Sequence, residues 1–240
     1  FSGRLTATLV MAGAISQKLL RHSIGIETVA YTIQIGDIRS SELSLEKAKK
    51  NRYTNDVRCP DAETAEKMKS AIMQARRDGD SLGGIIECVS VGLPIGFGEP
   101  IFSSLESDLS KAIFSIPAVK AIEFGSGFEG SKQRGSKNND LYVKQDGKVI
   151  TKTNNSGGIL GGLSNGMPII IRIGFKPAAS IAKTQHTVDV STGSEVALNV
   201  PGRHDPCVVP RAPPVVESVV TMVLADHALR GGFIQPVLKK

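Results

Sequence analysis

Between residues 157 and 166 the chain reads Gly157-Gly158-Ile159-Leu160-Gly161-Gly162-Leu163-Ser164-Asn165-Gly166, five glycines in ten residues, and it runs straight into the apolar stretch 168–175. Glycine at this density marks a backbone that turns tightly or is approached closely, not the interior of a helix. The stretch that follows is β-branched and reads as a strong strand. Two readings of the loop stay open. Its backbone N–H groups could receive a ligand, or it could be a structural bend. Lys176-Pro177-Ala178-Ala179-Ser180 follows the strand and offers a cation and a hydroxyl beside it.

The rest of the chain alternates helix and strand signals. Residues 5–22 carry Leu5, Leu9, Ala12, Leu19 and Leu20 at mostly helical spacing, predicting a helix that stops near Gly25. Residues 26–38 alternate and read as one strand, and 39–60 are polar and irregular. A helix over 61–78 has Asp61 and Glu63 in its first turn, Arg76 and Arg77 in its last, and Gly79 just beyond. A strand over 85–93, a helix over 100–114 and a short strand over 119–124 follow. Residues 125–166 read as long loops with a hairpin around Gln145-Asp146-Gly147-Lys148, where Asp-Gly is the turn signal. Residues 187–190 read as a strand near 168–175, and a final helix opens at two prolines, covers 213–229 and closes at Gly231. With no internal repeat and no linker, 240 residues are expected to form a single domain.

Composition narrows the class. Hydrophobic content of 40% and charged content of 22% suit a globular protein. Arg172 interrupts the longest apolar stretch, so no membrane span is expected. Cys59, Cys88 and Cys207 are scattered and form no CxxC pair, which speaks against a disulfide framework or a metal site and for a reducing, cytoplasmic home. No secretory signal is recognisable at the start, and Phe1 in place of Met suggests that a segment precedes it. A net charge of +6 predicts anionic partners. Aromatic content of 5%, no Trp and no Lys/Arg run longer than two disfavour nucleic acid, leaving small anions.

Two further candidates carry chemistry. Gly125-Ser126-Gly127-Phe128-Glu129-Gly130 matches the dinucleotide fingerprint after a strand, but the polar, glycine-rich residues that follow cannot supply the helix it needs, so it is read as a loop. Gly202-Arg203-His204-Asp205-Pro206-Cys207 puts a guanidinium, an imidazole, a carboxylate and a thiol on one loop. It is either a site where Arg203 grips an anion and Asp205 relays a proton, or a salt-bridged turn. His22 and His227 fall near helix C-terminal ends and read as dipole caps, His186 starts a strand, and Cys88 reads as inert core.

Taken in order, Phe1-Ser2-Gly3-Arg4-Leu5-Thr6-Ala7, Asp78-Gly79-Asp80-Ser81-Leu82-Gly83-Gly84, Gly96-Phe97-Gly98-Glu99-Pro100, Ser115-Ile116-Pro117-Ala118-Val119-Lys120, the glycine loop, Phe175-Lys176-Pro177 and Gly202 through Arg211 resemble chorismate synthase. The resemblance covers essentially the whole chain. It implies an α+β fold with antiparallel sheets and helices in a β-α-β sandwich, and a homotetramer. The activity implied is a lyase reaction, the 1,4-anti elimination of phosphate from 5-enolpyruvylshikimate 3-phosphate to give chorismate, the last step of the shikimate pathway. Reduced FMN is required without net redox change, and NADPH serves as an indirect reductant.

Carried over by motif, the resemblance implies a flavin site at Phe1, Ser2, Pro117, Ala118, Gly161, Lys176, Pro177, Ala178, Ala179, Ser180 and Arg203. Arg4 and Arg203 would clamp the substrate's anions, and Asp205, with Ser2, would serve catalysis, Asp205 by assisting proton transfer at the flavin ring. The family's two catalytic histidines lie in motifs expected ahead of Phe1, and none of His22, His186, His204 or His227 matches them. The chain is therefore expected to be an N-terminally incomplete, nearly inactive form of the enzyme. The alternatives are a non-catalytic flavin- or anion-binding module and a fragment that only assembles.

Overall fold

The computed structural model describes residues 3–235. Helix α1 (Thr6–Ile24) ends where Gly25 takes a left-handed φ of 76°. The stretch predicted as one strand over 26–38 is two, β1 (Glu27–Ile35) and β2 (Ile38–Arg39), because Gly36 at φ 57° reverses the chain and sets Ile35 opposite Ile38. The region read as irregular contains α2 (Leu45–Asn51), whose start is capped by the Ser44 hydroxyl accepting from the Lys47 N–H. Helix α3 (Ala62–Arg77) begins with the Asp61 carboxylate accepting from Thr64 N–H at 3.0 Å. Strand β3 (Gly84–Val91) follows.

Helix α4 (Leu105–Ile113) starts five residues later than the predicted 100, since Glu99 and Ser103 pair in a bridge and Ser104 supplies the cap. After β4 (Val119–Phe124) come two single helical turns, α5 (Gly127–Gly130) and α6 (Gly135–Asn138). The hairpin β5 (Tyr142–Gln145) and β6 (Lys148–Thr151) turns at Asp146-Gly147 with φ of 50° and 77°, the primed turn that Asp-Gly favours. Strands β7 (Ile159–Leu160) and β8 (Leu163–Ser164) form a miniature hairpin ahead of β9 (Ile169–Phe175). Strand β10 (Gln185–Val188) pairs with β11 (Glu195–Leu198), not with β9 as the sequence suggested. Helix α7 (Pro213–Arg230) closes the order.

The main sheet has the order β2-β1-β3-β9-β4. Along β9, Ile169, Ile171, Ile173 and Phe175 are buried while Ile170, Arg172 and Gly174 are half-buried, the period-two alternation of a strand with two unlike faces. The fold is α+β, with helices and antiparallel sheets.

The chain divides into two compact units. The first comprises the residues up to Tyr31, Glu87–Ile173 and those from Pro213 onward. Its core rests on α1 against α7 and on α4 against α7, with Leu20, Leu105, Leu109, Ile113, Val216 and Leu224 wholly buried. The second comprises Thr32–Ile86 and Gly174–Ala212, with Ile35, Ala48, Cys59, Met68, Ile86 and Val209 buried. No helix among the described residues is long and apolar enough to cross a membrane.

Candidate functional site

In the first unit the glycine-dense segment is a folded bend clamped on both sides. Ser164 N–H donates to Phe97 O at 2.8 Å, Gly96 N–H to Ser164 O at 2.8 Å and Phe97 N–H to Ser164 Oγ at 3.0 Å, while Ser164 Oγ itself donates to Pro94 O. Leu105 N–H donates to Gly162 O at 3.1 Å, fastening the first turn of α4 to the loop. On the other side Asp140 accepts from the N–H groups of Asn155 and Ser156 at 2.7 and 2.9 Å and from Thr153 Oγ1 at 2.6 Å. These donors hold its carboxyl below the usual carboxylate range against the opposing effect of burial, the largest single contribution.

The five glycines divide between the two readings of the loop. A Cβ at Gly157, Gly158, Gly162 or Gly166 would stand within 3 Å of another residue, so these four are structural. Gly161, at φ 60° and exposed, has nothing within 4 Å of that position and is the one open point of the loop. Asn165 Nδ2 is a buried donor with no partner among the described residues. The fingerprint-like Gly125 is explained by packing: its Cβ would lie 2.1 Å from Asn155 O, and only the four-residue α5 follows. Pro117 is exposed, and Ala118 holds a left-handed φ of 72°, a strain of about 1–2 kcal/mol for a residue with a side chain. Arg4 is exposed in a short 3-10 turn ahead of α1, whereas Phe1 and Ser2 lie outside the described residues.

In the second unit three of the sequence strings converge. Residues 79–84 run between the 175–183 segment and the 202–211 loop. Gly79 O accepts from Ala182 and Lys183 N–H at 3.0 and 3.1 Å, and Ser81 Oγ donates to Ala178 O at 2.7 Å. A Cβ at Gly83 would stand 2.3 Å from Phe175 O, and one at Gly84 2.1 Å from Gln34 O, so both must be glycine. On the opposite side Leu82 N–H donates to Pro206 O at 2.8 Å, and Leu82 bridges Cys207 in parallel. The backbone N–H of Ser81, followed by Lys183, lowers the Asp80 carboxyl pKa. Sequence reasoning assigned no role to residues 78–84 beyond the resemblance; the paired Gly83-Gly84 was the available signal.

The 202–211 loop carries the salt bridge of its structural reading, between Asp205 and Arg211 Nη1 at 2.9 Å. His204 Nε2 donates to Val200 O at 2.8 Å, which fixes its tautomer. Burial pushes the Cys207 thiol up to about 11, leaving it unreactive. Arg203 and Lys176 are exposed and have no ion-pair partner among the described residues, so both cations remain available to an anion.

His22 is exposed in the last turn of α1, and His186 is exposed on β10. His227 is not the surface cap that its position suggested. Its ring is 1% exposed and its Nε2 lies 3.0 Å from Asp108 Oδ2. Arg172 was also missed. Its Nε donates to Glu87 Oε2 at 2.8 Å and its Nη1 to Gly125 O at 2.7 Å and Glu123 Oε1 at 3.2 Å, while Tyr31 O–H donates to Glu87 Oε1 at 2.6 Å. Burial, then Glu87, drives the Tyr31 hydroxyl pKa far upward. A lone arginine inside an apolar strand was the signal for this network. No group of three or more His, Cys, Asp or Glu side chains suited to a metal occurs among the described residues.

Residues 1–229 match the family model described as chorismate synthase. The chain is similar to the chorismate synthase of Dehalococcoides mccartyi, 50% identical over 240 residues, covering 100% of this chain and 66% of the relative. Its likeness to the Korarchaeum cryptofilum chorismate synthase is 51% over 230 residues, 96% of this chain and 63% of the relative. A solved structure described as the crystal structure of chorismate synthase superposes with a TM-score of 0.81 at 29% identity, covering 96% of this chain and 65% of that one. The chain thus spans slightly less than two thirds of the length of these proteins.

Proposed function

The chain belongs to the chorismate synthase family, and from that premise we propose that it carries the flavin- and substrate-anion-binding part of a lyase converting 5-enolpyruvylshikimate 3-phosphate to chorismate. Both compact units are read as parts of one family domain, because the family match runs through both. The convergence of the 175–183 and 202–211 segments on residues 79–84 carries this reading, since it fixes two of the segments implied for flavin binding to one frame.

The residues present fit FMN. Lys176, Arg203 and Ser180 are exposed and offer two cations and a hydroxyl, a donor set suited to a phosphate. Gly161 is open to close approach, and the unpartnered Asn165 amide sits in the same loop. Reduced FMN, when bound, supplies electron density to the substrate as phosphate leaves and recovers it, so that no net oxidation results. Lys176 through Ser180 and Arg203 hold the cofactor, with Pro117, Ala118, Gly161, Phe1 and Ser2 as further contacts. Arg4 and Arg203 hold the substrate's phosphate and carboxylates. Asp205, paired with Arg211, assists proton transfer at the flavin ring, with Ser2 as a second catalytic group. A homotetramer in the cytoplasm, with NADPH reducing the flavin indirectly, completes the proposal.

Turnover by this chain alone is expected to be slow. His204 and His227 are committed to Val200 and Asp108, and neither they nor His22 and His186 stand in the motifs implied for the catalytic acids. A missing general acid costs on the order of 10²–10⁴-fold in rate. The test is an anaerobic titration with FMN followed by flavin absorbance, with and without substrate. Saturable binding that weakens about tenfold in Arg203→Ala or Lys176→Ala is the expected result. No spectral change at high FMN concentration overturns the binding assignment, and chorismate formation at rates typical of enzymes, about 10 per second, overturns the statement on turnover.

A further inference from the structure

The second unit contains a feature that neither the sequence motifs nor the family resemblance used. Arg58 has a φ of 57°, a backbone conformation that a residue with a side chain keeps only where its surroundings enforce it. The enforcement is visible. Asn55 Nδ2 donates to Cys59 O at 2.7 Å, and Asn55 Oδ1 accepts from Cys59 N–H at 3.3 Å, closing a loop around Arg58. Thr32 N–H donates to Arg58 O at 3.1 Å. The guanidinium lies 4.7 Å from the centre of the Tyr53 ring, which restricts it to one approach. From there its Nε donates to Pro210 O at 3.0 Å, across 152 residues of sequence.

Pro210 is the residue before Arg211, the partner of Asp205 at 2.9 Å. The 202–211 loop is therefore tied at two carbonyls, Pro206 by Leu82 N–H and Pro210 by Arg58, and the Asp205–Arg211 pair is attached at both ties. Breaking the tie at Pro206 would disturb residues 79–84, which also brace 175–183. The tie at Pro210 involves none of residues 79–84.

We propose that Arg58 is a positioning residue for this loop: by holding Pro210 it sets Arg211, and through Arg211 the direction of the Asp205 carboxylate and the presentation of the loop to flavin. The inference rests on the flavin-binding reading above. Lysine keeps the charge but lacks the planar Nε–H, so it does not replace Arg58. Glycine accepts the left-handed backbone, so Arg58→Gly removes the guanidinium without adding strain.

The test is a double-mutant cycle on FMN affinity, read by the absorbance change of bound flavin, in the 240-residue chain with Arg58→Gly, Arg211→Ala and the pair. Thermal melting of each variant confirms that it is folded; should Arg58→Gly fail to fold, Arg58→Lys takes its place in the cycle. Each single change is expected to weaken binding about tenfold, and the pair no more than about twofold beyond the weaker single, because both act through one tie. Multiplicative losses, or wild-type affinity in the folded Arg58 variant, overturn the proposal while leaving the flavin-binding reading intact. Absence of FMN binding in the unsubstituted chain overturns both.

Discussion

At position 13 helix α1 leaves room for a hydrogen and nothing larger. A methyl group there would stand 2.2 Å from Cβ and 2.4 Å from Cα of Ser218 on α7, a backbone-level clash that no rotamer relieves. Gly13 also offers its carbonyl to the buried Thr221 Oγ1 at 3.5 Å. Alanine gains up to about 1 kcal/mol in helix propensity over glycine, so propensity and packing predict opposite signs for Gly13→Ala. Overpacking costs typically about 1–3 kcal/mol, and because the obstacle is backbone the packing penalty should prevail. Urea unfolding followed by circular dichroism should show Gly13→Ala less stable by about 1–2 kcal/mol; a stabilised variant would mean that the helices do not meet at this residue. Nothing in the sequence marked Gly13, since a glycine at a helix crossing and one merely tolerated in a helix look the same without the partner.

Between elements, the contact of α4 with α7 carries a titratable group. His227 on α7 donates from Nε2 to Asp108 on α4, and that donation means that Arg230 Nη2, 3.4 Å from the same nitrogen, bonds instead to Asp108 Oδ2 at 3.2 Å. Arg230 also reaches Glu99 at 2.6 Å and Asp226 at 2.8 Å, and Phe97 packs near the His227 ring with centroids 6.2 Å apart. Burial, then the Arg230 charge, lowers the His227 pKa below its ordinary 6.5, although Asp108 pulls the other way. The folded state therefore binds this proton less readily than the unfolded state. Stability from this group is fully present above about 6.5 and falls as pH drops below it. His227→Gln should flatten the decline in melting temperature between pH 7 and pH 5 and, by weakening one buried hydrogen bond, cost about 1 kcal/mol at neutral pH. An unchanged decline would place the sensitivity elsewhere.

Elements were legible where local chemistry decides them. Asp61 caps α3, Gly25 ends α1 and Asp146-Gly147 turns β5 into β6, each through a residue type that the backbone there requires. They were missed or mispaired where partners decide. Helix α2 has a lysine-rich sequence with Ala48 as its one buried residue, and β10 finds its partner ten residues further along the chain in β11. The candidate site follows the same rule. Arg203, Asp205 and Lys176 stood out as charged groups on proline-limited loops, whereas Arg58 and Ser164 act through distant carbonyls and N–H groups and leave no local trace.

For the molecule as a whole, a net charge of +6 would be an ordinary surface balance were it spread evenly over paired side chains. Many cations are paired: Lys47 with Asp61, Lys67 with Glu63, Lys183 with Asp80 and Arg230 with three carboxylates. Arg203 and Lys176 are not among them, and they stand on the two segments braced by residues 79–84. If the charge serves anion capture, FMN affinity must depend on ionic strength, since the Debye length shrinks from about 10 Å at 0.1 M salt to about 3 Å at 1 M. The dissociation constant should rise several-fold across that range in the unsubstituted chain, and Arg203→Ala should lessen the rise as well as the affinity. Inorganic phosphate should compete with FMN at low salt, which potassium chloride at equal ionic strength would not reproduce. An affinity indifferent to salt would assign the cations to solubility, and the glycine loop rather than the charge would then have to account for flavin binding.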